Sequence, residues 1–157
     1  MRRNSLWKGA AAGLAGGLAG SLAMGFAHAW LAKAAGQKTR GGPQDATVLF
    51  AERLLGRELH PEEKAVAGTV VHLAFGSAMG ALYGAAAAAA PPARSGAGLP
   101  LGLALYAGAH GYAVPKAGLS KSPLDQPLAG EFVEFAAHLV YGAVTEGVRR
   151  AIAGTVS

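Results

Sequence analysis

The chain has 157 residues, a length that suits one domain. Ala and Gly fill 61 positions and only 15% of residues are charged, against about 25% in an ordinary soluble domain, so a large soluble core of bulky side chains is not expected. A hydrophobic content of 52% excludes disorder, the lack of a Gly-X-Y period excludes collagen, the absence of Cys excludes disulfides and thiolate metal sites, and a +5 charge scattered between apolar runs does not make a nucleic-acid stripe.

Three stretches lack Asp, Glu, Lys and Arg altogether: 24 residues between Lys8 and Lys33, 29 between Lys64 and Arg94, and 21 between Arg94 and Lys116. A hydrocarbon core of about 30 Å takes about 20 helical residues, so each can span a bilayer. The expected first span is 6–33. Trp7 and Lys8 open it and Trp30 and Lys33 close it, as interfacial anchors do. Its apolar run is longer than the h-region of a signal peptide, so it is read as retained.

The first loop contains an expected amphipathic helix over 43–59. Asp45, Glu52, Arg53 and Arg57 share one arc, and Phe50, Ala51, Leu54, Leu55 and Leu59 the other; Leu49 and Glu58 break the pattern. It is too short and charged to span, so it should lie in the interface plane or cap the loop end of the bundle. The second span, 62–90, ends at Pro91 and Pro92. The third, 98–114, starts near Pro100 and stops at Pro115. The fourth, 129–150, has a clean run of only Phe135–Thr145, with Glu131, Glu134 and Glu146 at its flanks. The expected fold is therefore all-α: a single integral-membrane domain, an antiparallel four-helix bundle with a short helix in its first loop.

Helix association in lipid depends on close backbone approach, so small residues four apart mark interfaces. Gly13 and Gly17 do this on the first helix, Gly76, Gly80 and Gly84 on the second, and Gly98 and Gly102 on the third. Such faces also offer contacts for a homo-oligomer.

Four of the five His lie in the apolar segments, and each extends a row with a period of four: Gly16-Gly20-Met24-His28, His72-Gly76-Gly80-Gly84, Gly98-Gly102-Tyr106-His110 and Glu134-His138-Gly142-Glu146. Antiparallel threading puts all four about 8–12 Å from the end that carries loops 1 and 3. His72, His110 and His138 are expected to converge, with Glu134 close and His28 as a further member; Tyr106, Tyr141 and Glu146 are secondary candidates. Polar groups at such depth face the interior, a partner or water. The layer can serve as structural hydrogen bonding, as a pH-responsive or proton-handling pocket, or as a metal or bis-His haem site. No Cys supports a dedicated ligand set, so no cofactor is expected and metal or haem stays the alternative. No catalytic motif is present, so the chain reads more readily as an interaction or transport-type membrane protein than as an enzyme, with a His-ligated membrane enzyme or redox module as the alternative.

The run from His72 to Gly84, then His110 with Pro115 and Gly118-Leu119-Ser120, then Glu134, His138-Leu-Val-Tyr-Gly142, Glu146 and Arg149-Arg150 resembles the YagU-type family of small bacterial inner-membrane proteins of unknown function. The resemblance covers roughly 43–150; the first helix matches only as a Gly/Ala-rich span. It implies a four-helix, multi-pass inner-membrane protein with His72, His110 and His138 on helices 2, 3 and 4, and it supplies no activity, substrate or cofactor. This chain departs from the family in a shorter first loop and a more Ala-rich second helix. With the short tails, the resemblance places both termini in the cytoplasm. The raw basic count opposes this, with six residues on the terminal side and eight on the loop side.

Overall fold

The computed structural model describes residues 2–36 and 46–155, and all regular structure among them is helical. The first helix, α1 (Arg2–Ala34), runs unbroken for 33 residues, about 50 Å at 1.5 Å per residue. Gly36, at φ +66°, closes it in the left-handed conformation that Gly adopts without cost. Leu14, Leu18, Leu22, Phe26 and Trp30 form an i, i+4 row along α1, and all five are exposed, Phe26 to 78% and Trp30 to 69%.

The loop helix, α2 (Ala46–Leu55), is shorter than the expected 43–59. Gly56 (φ +66°) ends it, and the Arg57 N–H returns to the Glu52 carbonyl; residues 43–45, with Asp45, lie outside the described residues. The buried side also differs from the expected arc. Val48 and Ala51 are buried, together with Leu59 beyond the helix, and pack on Ala67 and Val71 of the next helix. Phe50, Leu54 and Leu55 are exposed. Gly68 decides between the two strips, because the Val48 side chain fits the space its missing Cβ leaves.

Pro61 occupies the first turn of α3 (Pro61–Ala89), where its missing N–H costs nothing. Glu63 accepts from the His60 N–H at 2.8 Å and pairs with both terminal nitrogens of Arg57, at 2.9 and 2.7 Å. A 3₁₀ segment, Pro91–Gly98, follows, and Gly96, Ala97 and Gly98 all have positive φ. Ala97 at φ +51° is the one non-Gly residue in this region among those described, and such a backbone costs roughly 1–2 kcal/mol.

The third long run is continuous but not uniform. It passes from α4 (Leu99–Leu105) through a π-helical stretch, Tyr106–Ala113, into α5 (Val114–Lys116). Pro115 does not end it, as the sequence suggested. It sits in the first turn of α5, directly after the wider i→i+5 turns, and Gly118 (φ +69°) closes the run. The last helix, α6 (Leu128–Thr155), extends past Arg149 and Arg150.

The packing is antiparallel and uneven. α1 lies between α3 and α6, α4 lies on α6, and α2 lies on α3. Glycines set the approach. A Cβ on Gly13 would strike the Gly80 carbonyl oxygen, one on Gly17 the Gly76 carbonyl, and one on Gly84 the Gly9 carbonyl. Gly16 and Gly20 of α1 meet Thr145 and Tyr141 of α6, while Gly98 and Gly102 meet Gly142 and His138. The glycine faces are thus occupied within the chain. Tyr141 reaches from α6 to α3, donating to the Gly76 carbonyl at 2.6 Å. The result is a three-helix group of α1, α3 and α6, with the 99–116 run laid mainly against α6.

Candidate functional site

Steps of four along α1 and α6 carry His28 and Glu134 to facing positions near the loop end. His28 Nε2 donates to Glu134 Oε1 at 2.9 Å, with both side chains about one-third exposed. One turn nearer the start of α6, Glu131 accepts from His110 Nε2 at 3.1 Å and from the Tyr106 hydroxyl at 3.0 Å. Both partners come from the π-helical stretch, where Tyr106 stacks on His110 at 5.4 Å between ring centroids. Glu131 is buried, so its two donors replace the water it has lost.

His138 sits between these pairs. Its Nδ1 donates to the Glu134 carbonyl at 2.7 Å, which is the i−4 backbone position, and its ring lies 5.8 Å from His110 and edge-on to Tyr106 at 5.7 Å. Tyr106 also meets Phe135 edge to face at 5.3 Å. His110, His138, Tyr106, Glu131, Glu134 and His28 therefore form one connected set drawn from three helical runs.

The Nε2 of His72 donates to the Ser21 carbonyl at 3.1 Å, which ties α3 to α1. Tyr141, 2% exposed, holds α3 to α6 as described above. Glu146 belongs to a second polar centre at the opposite end. At 1% exposure it accepts from Tyr83 at 2.9 Å and from Arg149 Nε and Nη2 at 2.6 and 2.9 Å, and it also pairs with Arg150.

Glu131, Tyr83 and Arg149 carry contacts that the sequence reading did not assign. Glu131 counted there only as a charge at a span boundary. Yet Glu131, Glu134 and His138 are spaced i, i+3, i+7, which places them on one face of α6. The Glu146, Arg149 and Arg150 spacing of i, i+3, i+4 carries the same signal.

Among the described residues no group of three or more His, Asp or Glu is placed to hold a metal ion. The His and Glu donors meet in twos. Two shallow surface clefts lie away from them, one over Arg94, Arg149 and Arg150, the other between Leu55, Leu59 and the first turns of α3.

Two helices, over Ser5–Ala34 and Pro61–Ala89, are long and apolar enough to cross a membrane, and most of each faces outward. The chain matches the family described as a protein of unknown function, DUF1440, over residues 58–147. The match takes in α3, the 99–116 run and most of α6, including Glu131, Glu134 and four of the five histidines, and it leaves α1 and α2 outside. Comparison with curated proteins and with solved structures gave no match. Since the matched segment is more than half of the sequence, the chain belongs to the DUF1440 family of proteins of unknown function.

Proposed function

We propose that the protein is a multi-pass membrane protein of the bacterial inner membrane, YagU-like, in which α1, α3, the 99–116 run and α6 all span. Its His–carboxylate pairs then form a proton-responsive layer near one surface. The exposed apolar surface supports the membrane part. Trp7, Phe26, Trp30, Val66, Val70, Leu82, Leu103 and Phe132 face outward, whereas Ser21, Thr145, Glu146 and Arg149 are buried. A water-soluble monomer rarely exposes apolar patches on this scale. The 99–116 run is 18 residues, about 27 Å, close to the hydrocarbon thickness.

The observation that carries the functional part is the double pairing, His28 with Glu134 and His110 with Glu131, linked through His138 and Tyr106. Imidazole changes charge between about pH 5 and 8, so protonation alters the pairing between α1, α6 and the 99–116 run without any other ligand. Two-membered donor sets favour proton exchange over metal ligation, which needs more converging donors. The groups facing the layer are Glu131, Glu134, His28, His110, His138 and Tyr106.

The protein contains no Cys, so a single Ser120→Cys in the loop after the 99–116 run gives a clean probe. Maleimide labelling in vesicles, normalised to unfolded protein at each pH, should change between pH 5 and 8. It should become flat in His110→Phe and Glu131→Gln backgrounds. Flat labelling in the otherwise unaltered protein would overturn the reading.

A further inference from the structure

The two ends of the helix group differ sharply in charge. Arg2, Arg3, Lys8, Arg94, Arg149 and Arg150 belong to the end that carries the termini, against Glu146 alone, so this end holds a net +5. In sequence, the segments 33–64 and 116–134 carry eight basic and eight acidic residues and balance. Within the charged end, a cleft of about 380 Å³ is lined by Arg94, Arg149, Arg150, Ala153 and Gly154.

Backbone turns and arginine hydrogen bonds shape this cleft. The left-handed turn at Gly96, Ala97 and Gly98 brings the 91–98 segment back over α6, where a Cβ on Gly98 would strike the Gly142 carbonyl. Arg94 Nε donates to the Ala87 carbonyl in the last turn of α3 at 2.7 Å, and Arg150 Nη2 donates to the Arg94 carbonyl at 2.6 Å. Arg149, only 5% exposed, is held from behind by Glu146. Three guanidinium groups thus share this end with one carboxylate, Glu146, which pairs with Arg149 and Arg150. The C-terminal ends of α3 and α6 add at most about −0.5 each, which leaves about one positive charge uncompensated.

We propose that this cleft binds phosphate, taken either as the phosphodiester of an anionic phospholipid headgroup or as free inorganic phosphate, through Arg94 and Arg150 with Arg149 behind them. Guanidinium donors arranged as a fork suit phosphate oxygens. The headgroup form rests on the membrane reading above; the site itself does not. Arg150 is half-exposed and Arg94 is exposed, so both can reach a ligand from the surface.

Three measurements on the full chain test it. Insertion into pure phosphatidylcholine vesicles tests the membrane reading alone. In mixed phosphatidylcholine and phosphatidylglycerol nanodiscs, the lipid co-isolated with the protein should be enriched in phosphatidylglycerol. That affinity should fall about thirtyfold in Arg94→Gln/Arg150→Gln, at roughly 1 kcal/mol for each of the two basic residues lost. In an uncharged detergent, inorganic phosphate should raise the melting temperature above the value in chloride of equal ionic strength. Arg150→Lys, which keeps the charge but loses the fork, should fall between the unaltered protein and Arg150→Gln in either effect. Phosphatidylglycerol enrichment without a phosphate effect assigns the headgroup as the ligand, and the reverse assigns free phosphate. Neither effect in the unaltered protein would overturn the site, whether or not it inserts into phosphatidylcholine.

Discussion

Single side chains decide how the short connections hold together. Glu52 on α2 accepts from the Leu59 N–H at 3.0 Å and lies 3.3 Å from Lys64 Nζ. The Leu59 amide, with help from Lys64, holds the carboxyl below its ordinary range against the opposing effect of burial. A carboxylate depressed in the folded protein stabilises it above the unfolded value, and that contribution fades as pH falls through the folded value. The Leu59 amide resonance should therefore hold steady through neutral pH and shift below about pH 4, the unfolded carboxylate range. In Glu52→Gln it should not titrate there. A Leu59 amide that fails to move in the unaltered protein would show that the contact is absent. None of this was legible in the sequence. Glu52 reads as one of several charges on the outer arc of α2, and only the turn at Gly56 brings Leu59 back over it.

Whole helices were more legible than their faces. Charge-free runs locate α1, α3 and the 99–116 run, because an uninterrupted apolar stretch of that length has few other uses. Which strip of α2 docks was not legible. Two apolar strips lie side by side, and the choice falls to Gly68 on another element. The π-helical stretch that carries Tyr106 and His110 was also hidden, since Pro115 reads as a stop unless the wider turns before it are known. The glycine rows were clear as a pattern, and the structure supplies their partners. Gly80 lies so close to Gly13 and Gly17 that any added side chain meets backbone rather than a movable side chain. Gly80→Val should force α1 from α3 and destabilise by at least the 1–3 kcal/mol typical of overpacking. Gly147, on the open side of α6, has nothing within 4 Å of an added Cβ. Gly147→Ala should be neutral or stabilise by roughly 0.5–1 kcal/mol, because Gly is the poorer helix former. Thermal melts in one detergent compare the two, and equal melting temperatures would discount the close α1–α3 approach.

At the scale of the molecule, equal depth of the histidines followed from threading antiparallel helices, but the partners did not. Depth says which groups share a level. It does not say that α1 lies between α3 and α6, that the 99–116 run lies mainly on α6, or that His72 bonds to the Ser21 carbonyl of α1. The same uneven packing bears on orientation. By count of basic residues the loop end leads, eight to six, and that would place it in the cytoplasm. Two of those eight are bound up in ion pairs, Lys64 with Glu52 and Arg57 with Glu63, and Arg53 donates to the Ala117 carbonyl at 2.7 Å. At the terminal end Arg149 and Arg150 are likewise paired, both with Glu146, so ion pairing discounts two residues at each end; what differs is that the terminal end sets six basic residues against one acid. Moving a unit charge across 100 mV is worth about 2.3 kcal/mol, and the cytoplasmic leaflet is negative, so in an inner membrane both fields would favour a cytoplasmic position for a net +5 face. Both termini should then be cytoplasmic. A fluorescent protein fused after Ser157 should fluoresce, and alkaline phosphatase at the same site should stay inactive. Active phosphatase would reverse the orientation and put the Arg94 cleft on the periplasmic surface, where a cytoplasmic phosphate pool could not reach it.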